Sequence, residues 1–444
     1  MTSHELRVDR ASARRLRTRS ERICVVGLGY VGLPLAVRFA QRGHDVVGFD
    51  VDDAHVETLS DGTDAVGDLG DETVADCDAT FTSDASAVGE AEYVFVTVPT
   101  PLDEDRRPDL GPLVDAGETI GEAMDPGTTV VLESTVYPGA TDEVFVPALE
   151  TGGLARGEDF AVAYSPERAS PGDAGRGLED VVKIVGADRS AVREDVADLY
   201  ATAVDAGVHE TDSIAAAEAA KVVENAQRDV NIALMNELAV AFDRMDLETS
   251  AVLEAAGTKW NFHEYHPGLV GGHCIPVDPH YLVHRSEREG YTPELLLTSR
   301  EVNESIPDHV AELVIRGLND CGKVPKDSSV LVLGLAYKPN VGDLRTSKVR
   351  EIATALREYD VDLVGYDPHV AAETARETFA FDVQTDLRVD GFDGVLVATP
   401  HDEFRGLNLD VLTAELSGDP LVVDPEGALA PDDPSGHDCT YRRF

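Results

Sequence analysis

Apolar positions along this chain fall into short continuous runs, separated by stretches with helical spacing. ICVVG (23–27) reads as a buried strand, LPLAVRFAQRGH (33–44) carries helical spacing that ends at Gly43, and DVVGFD (45–50) is a second strand. YVFVTVP (93–99) and TTVVLES (128–134) add two more strand runs. Strands alternating with helices predict a parallel, doubly wound sheet in an α/β domain. From Ser213 to Met245 the pattern changes to an Ala-rich stretch without Gly or Pro, which predicts one long helix. More helix is expected over 248–256 and around 293–315. Such a helix cannot bury every face within one chain, so it is expected to pack against its counterpart in a homodimer. A third region repeats the first: strand and loop at SSVLVLGLAYK (328–338), helix at TSKVREIATALREY, strand at VDLVGYD (361–367), and GVLVATP (394–400) echoing YVFVTVP. The division predicted is a basic leader (1–21), a Rossmann domain (22–210), a helical region (211–317) and a second Rossmann-like domain (318–444). The GLAYK turn lacks the full glycine fingerprint, so this last domain either binds a nucleotide differently or serves as scaffold.

Charge changes the picture. Acidic residues outnumber Lys plus Arg by 84 to 37, giving a net charge of −47, and Lys occurs at only seven positions. The acidic residues are spread through the segments expected to fold. Self-repulsion on this scale opposes a compact state in dilute salt and is screened in concentrated salt, so a salt-loving cytoplasm is the reading adopted. An acidic protein of ordinary origin is the duller alternative. Nucleic-acid binding, which needs concentrated positive charge, is not expected. No run approaches the roughly 18 to 20 apolar residues that cross a bilayer, and the Arg-rich first twenty residues lack the apolar stretch of a signal peptide. A cytoplasmic protein without membrane partners is expected. Five widely spaced cysteines (Cys24, Cys77, Cys274, Cys321, Cys439) argue for reduced thiols.

Three constellations carry candidate chemistry. Gly27-Leu-Gly29-Tyr30-Val31-Gly32 follows a strand and opens a helix. Gly27 permits the tight turn, Gly29 lets backbone approach a pyrophosphate, and Gly32 allows close helix–strand packing. Asp50, 18 residues after Gly32 at the end of the second strand, is placed to accept from ribose hydroxyls and favours NAD over NADP. The second constellation is GGHCIPVDP (271–279), where two glycines and two prolines shape a loop around Cys274, a candidate nucleophile. Buried cysteines are commonly only small apolar residues. The nearby His263, His266, His273, His280 and His284 match no zinc spacing, so no metal is expected. The third is Lys221 with Asn225 and Arg228 at i, i+4, i+7 on the long helix, expected to share one stripe. The competing reading is a snorkelling Lys at a helix edge.

Together these segments resemble the UDP-glucose/GDP-mannose dehydrogenase family over residues 22 to 435. The matching stretches are GLGYVGLP (27–34), PTP (99–101), ESTVYPG (133–139), YSPERASPGD (164–173), EAAKVVENAQRDVNIALMNE (218–237), PGLVGGHCIPVDP (267–279) and LGLAYKPNVGDLRTSK (333–348). The resemblance implies an NAD-dependent, four-electron oxidation of a UDP-sugar C6 alcohol to the acid, through a thiohemiacetal and thioester on Cys274. It implies that Lys221 and Asn225 stabilise charge on the C6 oxygen, that Asp278 organises water or assists proton transfer, and that Glu167 serves as acid/base. It places Tyr30, Val31, Thr100, Thr135 and Arg345 with the cofactor. Glu167, Arg168, Lys221, Asn225, Tyr265, Gly268, Gly272 and Lys338 fall with the substrate. GGHCIPVDP and SPERASPG resemble the branch acting on UDP-N-acetylglucosamine or UDP-N-acetylmannosamine, which makes an acidic sugar for surface glycan synthesis; UDP-glucose is the alternative. A two-electron hydroxyacid dehydrogenase would have no use for Cys274 or a third domain. A non-catalytic binding protein would tolerate loss of Lys221, Cys274 and Asp278, and all three are present.

Overall fold

The structure is a computed structural model that describes residues 21–67, 69–169, 177–429 and 438–444. All of the expected basic leader but Glu21 lies outside the described residues, as does the 170–176 part of the YSPERASPGD stretch and its continuation. The chain divides into two compact units, Met1–Glu224 with His280–Tyr291, and Asn225–Pro279 with Thr292–Phe444.

The first unit is built on strands β1 (Arg22–Val26), β2 (Asp45–Phe49), β3 (Thr80–Thr82), β4 (Tyr93–Val96), β5 (Thr129–Leu132), β6 (Ala161–Tyr164), β7 (Lys183–Gly186) and β8 (Val208–Thr211). Their order is β3-β2-β1-β4-β5-β6-β7-β8. The first six form the doubly wound arrangement in which ligands bind outside the carboxyl ends of the strands. β1 and β4 are buried at nearly every position, as expected of strands covered on both faces. Phe39, Phe95 and Tyr200 interlock in this core, with ring centroids 5.1 to 6.1 Å apart.

The sheet, predicted as parallel, is mixed. β7 pairs antiparallel with β6 through Tyr164 and Gly186. The chain leaves β6 at its carboxyl end and β7 begins at that same end, so β7 runs the other way.

The long helix spans Ile214–Arg244, within a residue of the expected limits. It begins in the first unit and continues in the second. Between Asp229 and Asn236 it faces helix Glu294–Asp320 of the second unit through a buried polar network. Asp229 Oδ1 accepts from Arg300 Nη1 at 2.5 Å and from Asn303 Nδ2 at 2.8 Å, and Asn303 accepts from Asn236 Nδ2 at 2.8 Å. Helix Glu294–Asp320 extends past the expected 315, with Pro307 inside it.

The second sheet contains β9 (Ser329–Leu333), β10 (Asp362–Tyr366), β11 (Asp382–Val383), β12 (Gly394–Val397), β13 (Leu421–Val423) and β14 (Thr440–Arg442). It is parallel throughout, in the order β11-β10-β9-β12-β13-β14. That is the same winding as β1–β6, so the repeat seen in the hydrophobic pattern is a repeat of topology. Among the described residues, no helix is long and apolar enough to cross a membrane.

Candidate active site

In the first unit the turn after β1 is built as its glycines require. Gly27 has φ +90°, and a Cβ there would press on the Thr97–Val98 backbone at 3.2 Å. A Cβ on Gly32 would overlap the Gly27 carbonyl oxygen. Gly29 differs: among the described residues, none beyond its own chain neighbours lies within 4 Å of where its Cβ would be, so packing there does not demand a glycine. Open space beside a helix that begins at Gly32 suits a ligand phosphate approaching backbone N–H groups. Tyr30 is 46% exposed and Val31 is half-buried on the same turn. Asp50 accepts from Leu28 N–H at 2.8 Å and Asp52 N–H at 3.1 Å, leaving its half-buried carboxylate capacity for further donors. These features fit a dinucleotide with free ribose hydroxyls.

Further along, Thr100 Oγ1 donates to the Thr135 carbonyl at 2.7 Å, joining the loops after β4 and β5, and Tyr281 donates its hydroxyl to the Thr100 carbonyl. Lys221 is 9% exposed on the long helix. One turn earlier on that helix, Glu218 accepts from Gly139 N–H, Thr141 N–H and Thr141 Oγ1 at 2.5 to 2.9 Å. Arg168 pairs with Glu224 at 2.6 Å.

Glu167 stands just beyond β6, its side chain 18% exposed. Its Oε1 accepts from the backbone N–H groups of Arg168 and Ala169, while its Oε2 accepts from Lys183 Nζ at 3.1 Å. Lys183 Nζ also donates to Glu133 Oε2 at 2.6 Å, and Tyr200 donates to the other oxygen of Glu133. Burial alone would raise the Glu167 carboxyl, but the Lys183 charge and these hydrogen bonds outweigh it and hold Glu167 below the usual range. For Glu133 burial prevails over Lys183 and pushes the carboxyl up. Nothing in the motif reading singled out Lys183, Glu133 or Tyr200. The available signal was a Lys inside the apolar run VVKIVG of a chain with seven Lys.

In the second unit a cradle forms around the loop 267–278. Gly268 is gripped at both backbone groups: its N–H donates to Asn236 Oδ1 at 2.8 Å and its C=O accepts from Asn236 Nδ2 at 3.1 Å. Gly272 has φ +91°, donates to Thr346 Oγ1 at 2.9 Å, and would meet the Tyr337 ring with any Cβ. His273 faces Asp343 at 3.4 Å. Among the five cysteines Cys274 is the exposed one; Cys24 and Cys321 are buried, Cys77 and Cys439 half-buried, and burial pushes the Cys24 thiol up to about 12. The Cys274 carbonyl accepts from Val277 and Asp278 N–H, so the loop turns directly into helix Asp278–Arg288. At that turn Asn225 Nδ2 donates to Asp278 Oδ2 at 2.6 Å, both residues buried.

The remaining expected positions are less closely joined. Tyr265 exchanges hydrogen bonds with the Gln227 amide, Lys338 lies 6.0 Å from the Tyr337 ring, and Arg345 pairs with Asp343 at 2.8 Å. Arg345 helps hold Asp343 down to about 2, against the upward push of burial. Arg228 lies on the same helix two turns after Lys221 and is exposed, whereas Lys221 and Asn225 are buried. The buried polar positions run Lys221, Asn225, Asp229, in steps of four, because the Arg300 and Asn303 side chains receive Asp229. Among the described residues His369, His401 and Glu403 group closely enough to suggest a metal. However, His401 accepts from Asn340 N–H at Nδ1 and hydrogen-bonds Asp367 through Nε2, so neither ring nitrogen is left for one.

Comparison with known proteins places this arrangement. The UDP-glucose/GDP-mannose dehydrogenase family is matched by its NAD binding domain over residues 21–204, its central domain over 215–305 and its UDP binding domain over 331–431. The chain is 43% identical over 412 residues to Protein CapL of Staphylococcus aureus, covering 93% of this chain and 97% of that protein. It is 42% identical over 391 residues to the UDP-N-acetyl-D-glucosamine 6-dehydrogenase of Pseudomonas aeruginosa, covering 88% and 92%. Among solved structures, a UDP-N-acetyl-mannosamine dehydrogenase from Pyrococcus horikoshii superposes with a TM-score of 0.84 at 30% identity, covering 95% of this chain and 98% of that one. The chain belongs to the UDP-glucose/GDP-mannose dehydrogenase family and is an NAD-dependent nucleotide-sugar dehydrogenase.

Proposed function

We propose that this enzyme oxidises the C6 hydroxymethyl of a UDP-N-acetylhexosamine, N-acetylglucosamine or N-acetylmannosamine, to the carboxylate through a covalent adduct on Cys274. The observation that carries the covalent reading is the loop itself: an exposed thiol on a turn fixed at Gly268 and Gly272, leading into a buried Asn225–Asp278 pair. The names of the similar proteins from Pseudomonas aeruginosa and Pyrococcus horikoshii favour the N-acetylhexosamine class.

Bound NAD supplies the hydride acceptor, held by Gly27, Gly29, Gly32 and Asp50 with Tyr30, Val31, Thr100 and Thr135 alongside. Lys221 and Asn225 stabilise the oxyanion that develops as the C6 hydroxyl loses its proton. Loss of the first hydride from C6 gives the aldehyde, to which the Cys274 thiolate adds, and the carbonyl oxygen takes a proton to give the thiohemiacetal. Loss of the hydroxyl proton and of a second hydride from C6 leaves a thioester. Water activated by Glu167, with Asp278 steering the proton, cleaves the C–S bond, releasing the carboxylate and restoring the thiol. In total one alcohol and one water become one carboxylate, with four electrons passed on as two hydrides.

Arg168, Tyr265, Gly268, Gly272 and Lys338 are assigned to the sugar nucleotide, and Arg345 to the cofactor. The functional division follows as a cofactor part (22–210), a helical part (211–317) and a UDP-sugar part (318–444). A homodimer is the assembly we assign, supported by the half-exposed Val223 and Leu234 of the long helix.

The test is purified enzyme in molar KCl with UDP-N-acetylglucosamine, UDP-N-acetylmannosamine and UDP-glucose, counting NADH per sugar. The reading requires two NADH with an N-acetylhexosamine, and loss of acid formation in Cys274→Ser with NAD binding retained. A Cys274→Ser protein that makes acid at the wild-type rate defeats the covalent route, and preference for UDP-glucose defeats the substrate assignment.

A further inference from the structure

The charged cluster behind Glu167 has a geometry that a packing role does not require. Glu133 follows β5 directly and Glu167 stands three residues beyond β6, so both lie at the carboxyl ends of adjacent parallel strands. Lys183 opens β7, the strand that runs against β6. Continuing the Tyr164–Gly186 register outward brings Glu167 opposite Lys183. Strand reversal thus delivers one ammonium to the ligand-binding edge of the sheet, 2.6 Å from one carboxylate and 3.1 Å from another.

The cluster is deeply buried: Lys183 and Glu133 are each 1% exposed. An ion group taken out of water gains stability only if its geometry is complete, and apolar residues of similar volume commonly serve a core as well or better. Here every participating oxygen is occupied. Glu133 takes Tyr200 on Oε1 and Lys183 on Oε2; Glu167 takes two backbone N–H groups on Oε1 and Lys183 on Oε2. Among the described residues, the side chains that donate to Glu133 and Glu167 are Lys183 and Tyr200, and the neighbouring Arg168 is directed to Glu224 and the Val182 carbonyl. Among the described residues the groups hydrogen-bonded to Glu167 are donors, an arrangement that favours the ionised carboxylate.

We propose that Lys183 is a positioning residue for the reaction: anchored by Glu133 and Tyr200, it fixes Glu167 at the sheet edge as the ionised base that activates the hydrolytic water. The proposal rests on the reading of Glu167 as that base. It also ties Glu167 to Glu133, two residues before Thr135, so one cation sets both the base and the start of the loop that reaches Thr100.

Burial and Lys183 act on Glu167 in opposite senses, so the sign of the effect is determined. Without the ammonium, desolvation prevails, the carboxyl pKa rises, and the base is protonated over a wider range. In Lys183→Met the acidic limb of the kcat–pH profile is expected to move up by about one to three pH units. At neutral pH kcat should fall roughly 10- to 100-fold. Lys183→Arg should recover part of the rate and most of the limb. Because Lys183→Met strands Glu133, the double variant Glu133→Gln/Lys183→Met is measured beside it, with NAD affinity and thermal unfolding showing which proteins are folded. The UDP-sugar is the one turned over in the assay above, in molar KCl. An unmoved acidic limb in the folded double variant, with Glu167→Gln impaired, overturns the role of Lys183 and leaves Glu167 standing. Full activity in Glu167→Gln overturns the base itself.

Discussion

The two sheets share one winding and use it differently. Each has its first strand followed by a turn at a positive-φ glycine, Gly27 at +90° and Gly334 at +80°, and in each a Cβ there would press on the backbone of the next strand over. Each also places an aspartate at the end of its second strand, Asp50 and Asp367. In the first unit the helix starts at Gly32, five residues after Gly27, and its N-terminus is at hand for a phosphate. In the second the helix waits until Val349, fifteen residues after Gly334, and a long loop occupies that space. The aspartates diverge accordingly. Asp50 has two protein donors and is half-buried. Asp367 is buried and has four: Leu335, Ala336 and His369 N–H and His401 Nε2, at 2.7 to 3.0 Å. A carboxylate offers about four lone-pair sites; Asp367 meets three donors at Oδ2 and one at Oδ1, whereas Asp50 meets one at each oxygen and keeps more capacity for a ribose. The same topology therefore yields one dinucleotide reader and one domain whose nucleotide must be held by other groups.

The largest effect expected from this contrast is on stability. Asp367→Ala strands buried donors and should cost about 3 to 5 kcal/mol, with the NAD affinity of the first unit little changed. Asp50→Ala should cost under about 1.5 kcal/mol yet weaken NAD binding and narrow the preference over NADP. Denaturant melts and NADH fluorescence titrations on both variants decide it, and the opposite ranking would remove the distinction.

Next come the glycines. Gly32→Ala must displace the Gly27 carbonyl and should destabilise the first unit by about 1 to 3 kcal/mol. Among the described residues Gly29→Ala meets none beyond its own chain neighbours, so its stability should change by less than about 0.5 kcal/mol while NAD affinity falls several-fold. Unchanged NAD affinity in Gly29→Ala would mean that the open space is not where the cofactor's phosphates sit.

Acid should act in part through the Asp367 carboxylate. Burial would raise Asp367, but His401 and the backbone donors outweigh it and hold it below its usual value. Its contribution is therefore fully present above the unfolded value of about 3.9 and is lost as pH falls through the lower folded value. Acid melts should be steeper for wild type than for Asp367→Asn, and equal slopes would count against the charge of Asp367 being the cause.

Salt should discriminate least between the halves. With a net charge of −47, screening in molar KCl should raise the melting temperature of the whole protein. A melting temperature unchanged between about 0.1 and 2 M salt, where the Debye length falls from about 10 Å to under 3 Å, would end the halophile reading.

What the sequence determined by itself was local. The strand–GLGYVG–helix order with Asp50 at the next strand end, the Gly- and Pro-shaped loop at Cys274 and the uninterrupted helix after Ser213 are set by neighbours in the chain, so spacing and residue type suffice to read them. The second sheet was legible as a repeat, yet the loss of ribose capacity at Asp367 was not, because His401 reaches it from 34 residues away. Lys183 and Glu133 meet across 50 residues, and Tyr200 meets Glu133 across 67. No local pattern encodes those encounters. They exist because β7 reverses beside β6 and brings a lysine back to the edge where two carboxylates already stand. Only the tertiary structure decides which charges become neighbours once water is excluded, and here that decides which aspartate keeps capacity for further donors and which glutamate is paired with Lys183.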